Sequence, residues 1–246
     1  MSTTFAEKSV LVIGAGGLGG PALLVLAAAG VGRLVLLDDD AVESSNLNRQ
    51  PLFGQRDLGA RKAVAAARRL GQLFPSVKVD ARDRRFDDAT AYEVVRGVDV
   101  VVDGADNFPT KFLANDAAVA AGKPLVHGGI LRYTAQLLTV LPGQTGCLRC
   151  LFEAPPPEGE VPSCAQAGVL GPVAGFAGAL MGAEAVRLLA GGRGAYAGRL
   201  LVYEARSARS RSVPVRRRDG CPACRAAVLA QANHIEIDRA RGEGGA

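Results

Sequence analysis

The sequence predicts an α/β fold: a doubly wound, mostly parallel sheet with helices on both faces. Two patterns lead there. Short apolar runs alternate with stretches of helical periodicity through the N-terminal half, as right-handed strand–helix–strand crossovers require. A glycine-rich segment, Gly14-Ala15-Gly16-Gly17-Leu18-Gly19, stands between the first apolar run and the first helical stretch. Composition agrees, since 48% apolar and 22% charged residues among 246 suit a globular chain with a sizeable core.

The elements follow in order. Residues 10–13 are a strand, and 21–29 an apolar helix. Residues 34–37 are a second strand ending at Asp38. Helical periodicity runs over 58–74, where Pro75 stops it. Residues 77–79 make a short strand, and 98–102 an apolar strand ending at Asp103. Residues 108–121 are helical, Gly122 closes that helix, and Leu125 and Val126 open another strand. Beyond about Ile130 the pattern changes. Residues 133–141 read as an antiparallel strand, 151–167 as a proline-rich loop, and 169–189 as a helix of small apolar residues. Residues 200–203 and 212–215 form a terminal hairpin. This divides the chain into a nucleotide-binding half over 1–130, a C-terminal part of the same domain over 131–230, and a mobile tail over 231–246.

The formal net charge is +5, but the arginines are scattered, and only Arg216, Arg217 and Arg218 form a run. Aromatics are 5% and Trp is absent, which removes the stacking platforms that single-stranded nucleic acid needs. The basic balance suits an acidic protein partner better. No apolar run reaches the ~18–20 residues of a membrane span. Residues 1–9 lack an apolar signal core. These features predict a cytoplasmic protein that binds neither nucleic acid nor membrane.

Gly14, Gly16, Gly17 and Gly19 permit a tight turn and let backbone N–H groups approach phosphates at a helix start. Asp38, closing the second strand, is placed to accept hydrogen bonds from ribose hydroxyls. That much fits NAD enzymes and adenylate-forming enzymes equally. Three further features favour ATP. The loop after Asp38 carries Asn46 and Arg49, the next helix carries Lys62, and Asp106-Asn107 follow the strand that ends at Asp103. Arg and Lys stabilise charge that builds on phosphates and departing pyrophosphate. A carboxylate at a strand's C-terminal end suits Mg²⁺ shared with phosphate oxygens. No GxxxxGK[ST] loop is present, which argues against γ-phosphate transfer.

The segments GAGGLG, AGVGRLVLLDDDAVESSNLNRQ, GARK, VDGADN, CLRC, SCAQAGVLGPVAG and GCPAC together resemble the MoeB/ThiF/HesA adenylyltransferases, bacterial relatives of ubiquitin-activating enzymes. The resemblance runs from about Val10 to Cys224. It implies a Rossmann-like domain with an antiparallel C-terminal extension stapled by zinc. The implied activity is adenylation of the C-terminal Gly-Gly of a small ubiquitin-like sulfur carrier in molybdopterin, thiamin or thio-modification pathways. It further implies a homodimer and a separate sulfur donor. By motif, Gly17 lies against the phosphates, Asp38 against the ribose, and Ser45, Asn46 and Arg49 line the ATP site. Lys62 meets the phosphates and Asp106 the Mg²⁺, with Asn107 beside it. Family members carry an Arg in a helical segment ahead of the first strand, where residues 1–9 here hold only Lys8. That departure predicts slow adenylation without help.

Cys147, Cys150, Cys221 and Cys224 form two CxxC pairs, the spacing of a closed tetrahedral zinc site. The fifth cysteine, Cys164, just beyond the proline-rich loop, is a candidate acceptor thiol in a later covalent step. His127, ending a strand near the cleft, reads as a satisfied structural histidine. An NAD-dependent oxidoreductase and a non-catalytic nucleotide-binding scaffold are the rival readings.

Overall fold

The computed structural model describes residues 5–157, 159–161 and 167–225. Cys164, His234 and the tail expected over 231–246 lie outside the described residues. Eight strands form one sheet: β1 (Ser9–Ile13), β2 (Arg33–Leu37), β3 (Lys78–Arg82), β4 (Val100–Asp103), β5 (Leu125–Leu131), β6 (Thr134–Val140), β7 (Arg199–Glu204) and β8 (Arg209–Pro214). Their spatial order is β3-β2-β1-β4-β5-β6-β7-β8. The pairings from β3 to β5 are parallel and those from β5 to β8 antiparallel.

The central strands read as continuous apolar runs because both of their faces are covered. Val10, Val12, Leu34, Leu36, Val100 and Val102 face one way. They pack with helices α1 (Gly19–Ala28) and α2 (Lys62–Leu73) and with the long helix Gly171–Leu189, labelled α6 below. Leu11, Ile13, Val35, Leu37 and Val101 face the other way, against α3 (Ala91–Arg96) and α4 (Phe108–Ala120). A short helix, α5 (Leu148–Leu151), lies between two of the cysteines. Helix α6 (Gly171–Leu189) is long and apolar enough to cross a membrane, with a mean hydropathy of 1.3, contrary to the sequence expectation. Its apolar length has another use, because it packs on α1 and on β4, β5 and β6.

Several elements differ from expectation, two helices most clearly. The periodicity over 58–74 suggested one helix, but α2 begins only at Lys62. Leu58 and Arg61 take extended ψ values of 129° and 127°, after a 3-10 turn over Gln55–Asp57. Helix α3 was not foreseen, since six residues are too few to display a helical period.

Glu184 of α6 fastens the antiparallel part to the parallel part. Its buried carboxylate accepts hydrogen bonds from Thr139 Oγ1 at 2.8 Å and from the backbone N–H groups of Ala195 and Tyr196 at 2.9 Å.

Candidate active site

The C-terminal ends of β1, β2, β4 and β5 open into one cleft of about 1830 Å³. It spans the place where strand order reverses between β1 and β4, the crevice at which open α/β sheets bind ligands. Residues from β6 and the segment after α5 extend the cleft away from the glycine loop.

Two glycines make the loop after β1 as tight as it is. Gly14 has φ +84°, and a Cβ there would come 3.1 Å from the Gly104 carbonyl oxygen. A Cβ on Gly19 would sit 1.8 Å from the Gly14 carbonyl oxygen, so its role is close helix–strand packing. Gly14, Gly16 and Gly17 line the cleft, and no side chain caps the start of α1. In the first turn the Gly20 N–H already bonds the Gly16 carbonyl and Pro21 has no N–H, so the N–H groups offered to this region are those of the glycine loop and Gly19, backed by the positive end of the helix dipole.

Asp38 is buried beside this loop. Its Oδ2 accepts the Ala15 N–H at 2.7 Å and its Oδ1 accepts the Asp40 N–H at 2.9 Å. Burial pushes its pKa above the ordinary carboxylate value, against those two hydrogen bonds and the charge of Lys62. Each oxygen keeps a lone pair for a ligand hydroxyl.

Lys62 begins α2 and is buried to 7% exposure, yet its Nζ lies 2.8 Å from Asp40 Oδ2, a carboxylate 64% exposed. Arg49 is held by hydrogen bonds from Nη1 to the Ser45 carbonyl at 2.8 Å and to Asn48 Oδ1 at 3.1 Å. Asp106 is exposed at the end of β4 and has no hydrogen-bond or ion-pair partner among the described residues. The cap of α4 is Asn107, whose Oδ1 accepts the Thr110 N–H at 3.0 Å. All of these line the cleft together with Asp38.

Ser45 and Asn46 do not reach the cleft wall. Asn46 is buried under its own turn, where its Oδ1 accepts the Glu43 N–H at 3.4 Å, and Ser45 Oγ donates to Glu43. They shape the loop that carries Arg49. Lys8 lies near the start of β1, at the opposite end of that strand from the glycine loop, 3.6 Å from Asp99.

Sequence reasoning missed a buried cluster in the cleft floor. Asp103, wholly buried, accepts the Ala105 N–H at 3.0 Å through Oδ1. Its Oδ2 lies 3.1 Å from Lys111 Nζ and 2.7 Å from His127 Nδ1. Burial acts to raise the Asp103 pKa, but the charge of Lys111 and the hydrogen bond from His127 hold it below the usual range. The available signal was an apolar strand ending in an acid, since a buried carboxylate requires cations nearby. His127 is only half satisfied, because its Nε2 has no partner. Gln50 also lines the cleft with an unpartnered Oε1.

The four cysteines converge. Sγ separations are 3.9 Å for Cys147–Cys150, 3.7 Å for Cys147–Cys221, 3.6 Å for Cys150–Cys224 and 3.5 Å for Cys147–Cys224. A tetrahedral ion with ~2.3 Å bonds to sulfur sets its ligands ~3.8 Å apart, so the cluster could hold zinc. Burial, then the charge of neighbouring thiols, pushes Cys147 up to about 11 and Cys224 higher still. A bound cation would reverse this. The cluster hangs on α4. The Leu148 N–H donates to Asn115 Oδ1 at 2.9 Å, and Arg149 forks onto Asp116 at 2.7–2.9 Å.

Comparison with known proteins gives the same outline. A sequence model of the ThiF family matches residues 3–223. A sulfur carrier protein adenylyltransferase of Thermus thermophilus is 49% identical over 223 residues, covering 89% of this chain and 82% of that one. A SAMP-activating enzyme E1 of Haloferax volcanii is 47% identical over 218 residues, covering 89% and 80%. The E. coli MccB structure with ATP superposes with a TM-score of 0.76 at 23% identity, over 89% of this chain and 67% of that one. At that identity it speaks for the fold alone.

Proposed function

The chain belongs to the ThiF family, and from that premise we propose that it adenylates the C-terminal Gly-Gly carboxylate of a small ubiquitin-like sulfur carrier protein. The observation that carries the reading is the convergence of Arg49, Lys62 and Asp106 on one cleft with the glycine loop and Asp38. A nicotinamide cofactor makes no use of that cation pair or of an unpaired carboxylate at the end of β4.

In this reading Asp38 takes the ribose hydroxyls and the N–H groups of the glycine loop ahead of α1 meet the phosphates. Asp106 would hold Mg²⁺ with phosphate oxygens, and the ion would neutralise charge on them. A carrier carboxylate oxygen, ionised at neutral pH, attacks the α-phosphorus. The bond from that phosphorus to the bridging oxygen breaks, and pyrophosphate leaves with the electron pair. Lys62 moves from Asp40 to the phosphates, and Arg49 stabilises the charge developing on them. No general base is needed.

The cysteine cluster would hold a structural zinc, closed to substrate because all four positions are thiolates. A homodimer, a separate sulfur donor and a cytoplasmic location complete the proposal. Cys164 would act after adenylation, as the acceptor thiol of a later step.

The test is carrier-dependent exchange of labelled pyrophosphate into ATP. Exchange is expected from the native chain and its loss from Asp106→Ala. Full exchange by that variant would overturn the assignment of Asp106, and absence of exchange from the native protein would overturn the reaction.

A further inference from the structure

The imidazole of His127 is fixed on one side and open on the other. Its Nδ1 lies 2.7 Å from Asp103 Oδ2. That carboxylate is wholly buried and also receives Lys111 and the Ala105 N–H, so it stands as an acceptor. Nδ1 must then carry the proton, and Nε2 of the neutral ring is an acceptor. The residue is only 5% exposed, it lines the cleft, and Nε2 has no partner. A buried acceptor without a donor destabilises the site unless a ligand supplies one.

The order of the sheet narrows which ligand that is. From β2, which Asp38 follows, to β5, which carries His127, there are three steps, by way of β1 and β4. At ~4.8 Å per step His127 stands roughly 14 Å from a ribose held by Asp38. Between them lie the glycine loop and Asp106, where the triphosphate sits in the proposed reaction. Phosphate oxygens are acceptors and offer nothing to a second acceptor. On the far side of His127 the cleft continues over Gly128, Gly129 and Gln136. Gly129, two residues on from His127 and so on the same face of β5, leaves the backbone bare there, while the missing side chain of Gly128 makes room for Met181 on the other face. An extended peptide arriving along it to meet the α-phosphate brings backbone N–H donors.

Resting on the adenylation reading, we infer that His127 is a positioning residue for the carrier, its Nε2 accepting a hydrogen bond from a backbone N–H of the terminal Gly-Gly. Asp103 fixes the tautomer and the ring, and Lys111 balances the charge of Asp103. The imidazole thus selects a peptide end and orients it, while the chemistry at phosphorus remains with Arg49 and Lys62.

The test uses the full chain and the Thermus thermophilus sulfur carrier protein, native or with an ester in place of one of the two terminal glycine amides, each of which removes one N–H. One of the two ester carriers is expected to show a KM about 3- to 10-fold higher, the loss of one net hydrogen bond. The KM for ATP and the exchange rate at saturating carrier should stay within about twofold. His127→Leu should raise the KM for native carrier by the same factor and abolish the extra penalty of that ester. If neither ester changes the KM with the native enzyme, the inference is wrong, whatever the variant does. A penalty that persists undiminished in His127→Leu, or a rise in the KM for ATP, also overturns it. Native enzyme that exchanges no pyrophosphate with native carrier sinks the adenylation reading instead.

Discussion

Lys111 bears on the stability of the cleft through one carboxylate. Lys111→Met leaves wholly buried Asp103 with no cation beside it, only the hydrogen bonds from His127 Nδ1 and the Ala105 N–H, a loss of about 3 kcal/mol at pH 7 by analogy with broken buried pairs. The sign with pH follows. In the native protein the Asp103 pKa is depressed, so its contribution is present above the unfolded value of ~3.9 and fades as pH falls through the folded value. In the variant burial dominates and the folded pKa lies above the unfolded one, so stability is lost as pH rises past ~3.9. Urea titrations should therefore find the two proteins close near pH 4 and far apart at pH 7. Lys62→Met should behave in the opposite manner. It frees only a carboxylate that is already 64% exposed, so the melting midpoint should hardly move. Pyrophosphate exchange should drop about 10²- to 10³-fold, as when a single transition-state donor is removed. Asp38 and Asp106 reach the cleft after strand ends that the sequence marks, and Lys62 reaches it from within the helical period read over 58–74. The cluster of Asp103, Lys111 and His127 was not, because only the β4–β5 register, which sets Asp103 beside His127, brings it together.

The glycine loop and α1 act as one element, and Gly19 fixes their distance. Gly19→Ala places a methyl 1.8 Å from the Gly14 carbonyl oxygen, so helix and loop must separate. A loss of about 1–3 kcal/mol in denaturant titration is expected. It should be accompanied by weaker ATP binding, because the N–H groups that would meet phosphate move with the helix. A stable variant with native ATP affinity would mean that the loop adapts freely. The sequence marked this element fully, since glycines have few other uses between a strand and a helix. It misplaced the start of α2, because Leu58 and Arg61 continue the apolar and polar spacing of a helix while the backbone there is extended. Leu58 is 43% exposed, so the apolar spacing that carried the period back to it records no burial there.

Two staples unite the whole molecule. One is the proposed zinc site, where an ion held by the four cysteines would fasten the segment after β8 to α5 and, through Asn115 and Asp116, to α4. Chelation should expose four thiols to a thiol reagent and lower the melting midpoint. At about 2–4 °C per kcal/mol for a chain of this size, and with zinc binding contributing several kcal/mol to folding, the drop should be at least roughly 10 °C. The paired CxxC spacing announced the convergence of the four cysteines, which could hold zinc. The other, Glu184, was invisible, because a lone acid in an apolar helix gives no hint of the donors that surround it. Its carboxylate joins β6 to the segment before β7 and is itself part of a helix packed on α1 and β5. Neither half can melt first without leaving that charge stranded in the interior. Heating the metal-bound protein in a calorimeter should therefore give a single transition, its calorimetric enthalpy equal to the van't Hoff value. A peptide cut between α6 and β7 should cost the parallel strands their cooperativity, although it removes none of their own residues.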